Sequence, residues 1–92
     1  MNLIKKSLPV TEILAGLAEE CTELAQAALK LRRVFDGTNP TPVTEEQAMD
    51  ALYEELADVK LYASLLSINA RSISEIMERK RLRWEDRLMK KE

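Results

Sequence analysis

From Ile13 onward, apolar residues return every three or four positions: Ile13, Leu14, Leu17, Cys21, Leu24, Ala25, Ala28 and Leu31. That is the period of a helix with one buried face. Pro9 suits the first turn, where its missing N–H would be unpaired in any case. The spacing predicts a helix from about Pro9 to about Val34. The stretch "FDGTNPTPVT", Phe35 to Thr44, breaks it with Gly37, Pro40 and Pro42. Thr44 and Gln47 form a capping-box pair that opens a second helix. Ala48, Leu52, Leu56, Val59, Ala63 and Leu66 share one face of that helix, which is expected to end near Asn69. Leu61, Leu65 and Ile68 fall on a face opposite. Ser72 and Glu75 read as a further capping box, opening a third helix that buries Ile73, Ile76, Met77, Trp84 and Leu88.

The pattern predicts an all-α protein of one domain, residues 1–92, built as an antiparallel bundle of three main helices with a short turn within residues 1–7. The link from Asn69 to Ser72 is so short that the second and third helices are expected to be antiparallel neighbours or a sharply bent pair. A second helix that is apolar on two sides needs more cover than three helices supply. Oligomerisation into a larger bundle is therefore expected, as a homodimer or a dimer of dimers.

Composition narrows the chemistry. Two Gly and three Pro in 92 residues agree with helices throughout. The net charge of −2 advertises neither nucleic acid nor membrane. The charge is uneven: acids dominate from Glu19 to Asp58, bases from Arg71 to Lys91. Histidine is absent, which removes the usual general base, the usual zinc ligand and any carboxylate–histidine di-iron site. The single Cys21 excludes an intrachain disulfide and a cysteine-based metal site. No apolar run approaches the roughly 20 residues needed to cross a bilayer, and the first residues carry no apolar run of the kind expected of a signal-peptide h-region. A cytoplasmic location is the default expectation.

The acids are patterned. "LAEECTEL", Leu17 to Leu24, and "LYEELADV", Leu52 to Val59, share the form Leu-x-Glu-Glu-x-x-acid. At 100° per residue, Glu20 and Glu23 lie about 60° apart, as do Glu55 and Asp58, so each pair converges on one point. Glu20 and Glu55 border the apolar stripes, whereas Glu19 and Glu54 point further away. If the two stripes pack together, four carboxylates meet at the rim of a helix–helix interface, where they repel one another and lose hydration. A hard divalent cation relieves that cost, Mg²⁺ first and Mn²⁺ second. Solvated surface acids are the alternative, since single Glu-x-x-Glu patterns are common on helices. Gly16 lies one turn before Glu20, and leaves room for a ligand or for close helix packing. Tyr62 lies one turn after Asp58. Lys80, Arg83 and Arg87 share a face of the last helix, and Lys30 and Arg33 close the first. Cations opposite acid-held Mg²⁺ are what a polyphosphate substrate requires.

"EECTE" followed by "EELAD" resembles the E-E-x-x-E … E-x-x-D signature of MazG-like nucleoside triphosphate pyrophosphohydrolases, of the all-α NTP pyrophosphatase superfamily. The resemblance extends to "ALKLRR" and "RKRLRWEDRL" and is to the short, phage-type, single-domain members. It implies hydrolysis between the α- and β-phosphates of a nucleotide, giving a monophosphate and pyrophosphate. It further implies Mg²⁺, with Mn²⁺ as a substitute, held by Glu20, Glu23, Glu55 and Asp58, and Glu19 and Glu20 as the catalytic acids beside the attacking water. Tyr62 resembles the aromatic that contacts the nucleotide, and Lys80 and Arg83 the residues that contact phosphate, with Lys30 and Arg33 as further substrate cations. The chain departs from the pattern in its longer inter-motif segment, "DGTNPTPVT", and in its abbreviated segment before the first motif. Two other readings compete: a non-enzymatic helical interaction module with solvated acidic faces, and a nucleic-acid binder using the last helix. Glu78, Glu85 and Asp86 interrupt the phosphate-binding stripe that the latter requires, so no nucleic-acid partner is expected.

Overall fold

The structure is a computed structural model and describes residues 3–40 and 42–91. It is all-α, with four helices in the order α1 (Leu3–Ser7), α2 (Val10–Asp36), α3 (Glu45–Ser64) and α4 (Ala70–Lys90). Pro9 precedes α2 in an extended conformation (φ −65°, ψ 153°), the backbone that proline is built to adopt before a helix. At the far end Gly37 takes the left-handed conformation (φ 75°), and its N–H donates to the Arg33 carbonyl. A side chain there would be strained, so glycine stops the helix. Asp36 secures the turn by accepting from the Thr38 N–H at 3.0 Å and from its hydroxyl. The capping box expected from Thr44 and Gln47 is present. Gln47 N–H donates to Thr44 Oγ1 at 3.1 Å, and Thr44 N–H donates to Gln47 Oε1 at 3.0 Å.

Between these two caps the chain reverses, and α2 and α3 pack side by side as an antiparallel hairpin. Its core is small: Ile13, Leu31, Ala48 and Leu65. Gly16 is buried as well, because the Tyr62 ring lies directly over it. A Cβ at Gly16 would stand 2.5 Å from Tyr62 Cζ and 2.8 Å from its hydroxyl. Close packing is therefore the role of this glycine. Gly16→Ala is expected to cost about 1–3 kcal/mol, the range for overpacking, despite the gain in helix propensity. Combining it with Tyr62→Leu should recover much of the loss. A Gly16→Ala protein that melts at or above the parent's temperature contradicts this placement.

Several expectations are corrected. The segment within residues 1–7 forms the short helix α1 rather than a turn; Met1 and Asn2 lie outside the described residues. The helix α3 stops at Ser64, well before Asn69. The Leu65 and Leu66 N–H groups bond back to Tyr62 and Ala63, and Ser67 adopts a left-handed φ of 55°. Because the helix has ended, Leu65 does not continue the outer face with Leu61. It turns inward and is 4 % exposed, beside Leu8, Val10 and Ile13. Asn69, not Ser72, caps α4, its side chain accepting from the Arg71 and Ser72 N–H groups at 3.0 and 3.1 Å. Glu75 instead faces Arg71 at 3.7 Å on open surface, a pairing worth little.

The largest correction concerns α4. Its backbone stays clear of α1, α2 and α3, it adjoins α3 only across a hollow at the elbow lined by Lys60, Ala63, Ala70 and Ile73, and none of its residues is buried. Ile73, Ile76, Met77, Trp84 and Leu88 are exposed, not core. Of the two arrangements the short link allows, the bent pair is found: α3 and α4 end to end would exceed the longest molecular dimension, 47 Å. The radius of gyration is 17.1 Å, against about 12 Å for a compact chain of this length.

Candidate acidic site

The antiparallel register brings the two acidic motifs together. Oxygens of Glu20, Glu23 and Glu55 all lie within 4.8 Å of one another. Asp58 stands outside that spacing, yet its charge reaches both Glu20 and Glu55. The four side chains expected to converge thus occupy one flank of the hairpin. Glu20, Glu55 and Asp58 are half-buried and Glu23 is exposed. Glu19 and Glu54 are exposed, pointing away as the helical wheel requires. Glu19 is a neighbour of the cluster, not a member.

The cluster is electrostatically costly. Glu20 Oε2 and Glu55 Oε2 are withdrawn from solvent with no hydrogen-bond partner. Loss of hydration raises the pKa of Glu20 most, followed by the negative charges of Glu23 and Asp58. The same three causes, in the same order, raise Glu55. No lysine or arginine forms an ion pair with any of them among the described residues. Unpartnered, half-buried carboxylate oxygens that face one another have the chemistry of a hard-cation ligand set.

A pH dependence follows. The folded chain holds the Glu20 and Glu55 protons more tightly than the unfolded chain does. Their contribution to stability is full below the ordinary carboxylate pKa of 4.5 and is lost as pH rises through the raised folded values. The opposing pair, Asp36 and Glu78, have lowered values and act only as pH falls below that window. The metal-free protein is therefore expected to melt lower at pH 7 than at pH 5, and Glu20→Gln should flatten the profile. A melting temperature that climbs between pH 5 and 7 contradicts the crowding.

The remaining candidates are placed unevenly. Tyr62 lies on Gly16, one turn from Glu20 along α2, and so borders the cluster. Lys30 is half-buried two turns beyond Glu23. Arg33 is exposed beside Val34, Gly37 and Pro42 at the turn end of the hairpin, and is not brought to the acids. Lys80 and Arg83 sit on α4 beside Ile76 and Leu82, away from the Glu20–Glu23–Glu55 cluster of their own chain. Neither makes an ion pair among the described residues, whereas Arg81 is clasped by Glu78 and Glu85 and held more firmly protonated. No helix of the described residues is long and apolar enough to cross a membrane. No protein-family model, curated protein or solved structure matches the chain.

Proposed function

We propose that this protein is a Mg²⁺-dependent nucleotide pyrophosphohydrolase of the MazG-like kind, cleaving a (d)NTP between the α- and β-phosphates to (d)NMP and pyrophosphate. One observation carries the reading: Glu20 and Glu55 each keep an oxygen out of solvent without a partner, beside Glu23 and under the charge of Asp58. Surface acids without a role do not need to be crowded in this way, and at neutral pH, where they are ionised, a bound cation relieves the cost.

Glu20, Glu23, Glu55 and Asp58 would hold the ion, with Mn²⁺ as a substitute. When bound, it supplies charge neutralisation and polarises phosphate oxygens. The chain's own residues do the rest. The Glu20 carboxylate takes a proton from the attacking water, and Glu19, exposed beside it on α2 and facing solvent, passes that proton on to bulk water. The water oxygen bonds to the α-phosphorus, the bond to the bridging oxygen breaks, and pyrophosphate leaves with the electron pair. Tyr62 offers a ring edge and hydroxyl to the nucleoside, and Lys30 meets phosphate on the flank it shares with Glu23. Lys80 and Arg83 belong to an α4 whose backbone stays clear of its own α2 and α3, so they act on the substrate of a second copy in a homodimer or dimer of dimers.

The test is a panel of the eight common NTPs and dNTPs with Mg²⁺, scoring pyrophosphate and orthophosphate separately. Pyrophosphate from at least one nucleotide, absent without metal, is the expected result. Orthophosphate release, or no turnover of any nucleotide, counts against the reading and favours a helical interaction module.

A further inference from the structure

We infer, resting on the pyrophosphohydrolase reading, that Gly16 is a positioning residue for the nucleotide. By carrying no side chain it lets the edge of the Tyr62 ring rest directly on α2 at one end of the acid cluster. The seat so formed sets how tightly the nucleoside is held, although Gly16 itself touches no substrate.

The backbone does not require a glycine at this place. Gly16 lies inside α2, and of the two glycines only Gly37 has a positive φ. Any residue could adopt the Gly16 backbone, and most would favour the helix more. What excludes them is the space above it. A Cβ would stand 2.5 Å from Tyr62 Cζ and 2.8 Å from the Tyr62 hydroxyl. Non-bonded carbons settle about 3.5–4 Å apart, so a methyl group would force the ring to lift by about 1 Å or more. Packing alone is met by an alanine facing a leucine. The chain instead gives up helix propensity to keep a phenol ring at this height.

Both residues face the flank that holds the acids. Relative to the buried Ile13 and Leu31 of α2, Gly16 and Glu23 are rotated about 60° and 80° in one sense. Relative to the buried Ala48 of α3, Tyr62 and Asp58 are rotated about 40° and 80° in that same sense. In an antiparallel pair, equal senses fall on one side. Along the axes, Gly16 lies about 6 Å from Glu20 and Tyr62 about 6 Å from Asp58. The ring therefore walls the elbow end of the cluster. Lys30, half-buried, lies about 15 Å beyond Glu20 at the other end. The flank runs from an aromatic ring through carboxylates to a cation, which is the order of a nucleoside, a metal-held phosphate and a terminal phosphate charge. Tyr62 is half-buried: the edge bearing its hydroxyl rests on Gly16, and the remainder of the ring is open to a nucleoside.

The ring cannot keep its height by moving its backbone. The Tyr62 carbonyl accepts from the Leu65 N–H at 3.0 Å, and Leu65 is buried, so the last turn of α3 is pinned. An added methyl would instead swing the ring outward about its own side-chain torsions, into the space the nucleoside takes. The acids and Lys30 stay where they are. The nucleoside does not react, so its contact with the ring is the same before and during bond breaking. Losing that contact raises KM and spares kcat.

The test is steady-state kinetics at saturating Mg²⁺ on the nucleotide that the panel selects, with melting temperatures alongside. Gly16→Ala and Tyr62→Leu should each raise KM about tenfold, the scale of one aromatic contact, with kcat within about twofold of the parent's. The two changes together should raise KM no further than Tyr62→Leu alone, because Gly16 acts only through the ring. Ala48→Gly, which loosens the buried seam at the far end of α3, should lower the melting temperature and leave KM unchanged. Calorimetric titration with the matching (d)NMP, without metal or turnover, should show the same weakening in Gly16→Ala. A folded Gly16→Ala protein with the parent's KM overturns the inference and leaves the hydrolase reading intact. So do effects of Gly16→Ala and Tyr62→Leu that multiply, since Gly16 would then act elsewhere. A parent that turns over none of the eight nucleotides overturns the hydrolase reading and this inference with it. If Gly16→Ala does not fold, nuclear magnetic resonance of the parent decides. Saturating (d)NMP should shift the Tyr62 ring protons and the Gly16 α-protons beneath them together; a bound nucleotide that leaves both unmoved overturns the inference.

Discussion

Asp58→Asn is expected to lower nucleotide turnover about 100-fold or more, the scale of removing a charge-stabilising group from a catalytic site. Asp58 is half-buried on α3, and its charge presses on both Glu20 and Glu55. Asparagine keeps its size and its place in the helix but cannot offer an anionic ligand. Metal-free stability should hold or rise, because one repelling charge has gone. The combination separates chemistry from packing, since a merely structural aspartate would lose both or neither. Glu12→Gln, in the first turn of α2 and outside both motifs, should turn over as the parent does. Turnover and thermal melting measured side by side decide the matter. An Asp58→Asn protein that folds and hydrolyses nucleotide at the parental rate would make the doubled motif a coincidence of helix composition.

Leu65→Glu is expected to prevent stable folding. Leu65 is 4 % exposed and, among the described residues, is one of only four buried apolar side chains. Substitution removes a core side chain and leaves a carboxylate without a partner, a loss of about 3 kcal/mol or more. Small domains have little reserve against that. The helical circular dichroism signal should fall and its melting transition broaden or vanish. A folded Leu65→Glu protein altered only in oligomeric state would return Leu65 to the outer face that helical periodicity assigns it.

That residue shows where periodicity stops being informative. Counting at 100° per residue holds only while the helix continues. It places Glu20, Glu23, Glu55 and Asp58 on one flank of the hairpin, and three of them share a 4.8 Å cluster. It separates Glu19 and Glu54 correctly for the same reason. Past Ser64 the rule has no helix to act on, and nothing in "LLSINA" marks the stop as clearly as Gly37 marks the end of α2. The Thr44–Gln47 box is a local device and reads directly from two residues. Ser72–Glu75 has the same form, but Asn69 lies upstream and captures the first free N–H groups before Ser72 is reached.

The position of α4 was not legible for a different reason. Its apolar stripe is real, and an apolar stripe predicts burial. Periodicity does not say whether the cover comes from the same chain. Ile73, Met77, Trp84 and Leu88 satisfy the pattern and remain exposed, because the elbow at Leu65–Asn69 directs them outward. Cys21, Ala25 and Ala28 repeat the lesson on α2. The stripe there is wider than one neighbour can cover, and α3 takes only the edge that carries Ile13, Gly16 and Leu31.

The converged carboxylates are proposed to be a ligand set for a divalent cation. Titration calorimetry with Mn²⁺, run on the parent and on the Glu20→Gln/Glu55→Gln double variant, tests it most directly. Neither change removes a core side chain, and each relieves a raised, crowded carboxylate, so the double variant should melt at or above the parent's metal-free temperature. Saturable Mn²⁺ binding to the parent, a matching rise in its melting temperature, and loss of both in the double variant are the expected results. A folded double variant that binds Mn²⁺ as the parent does, or a parent that binds none at millimolar metal, would contradict it.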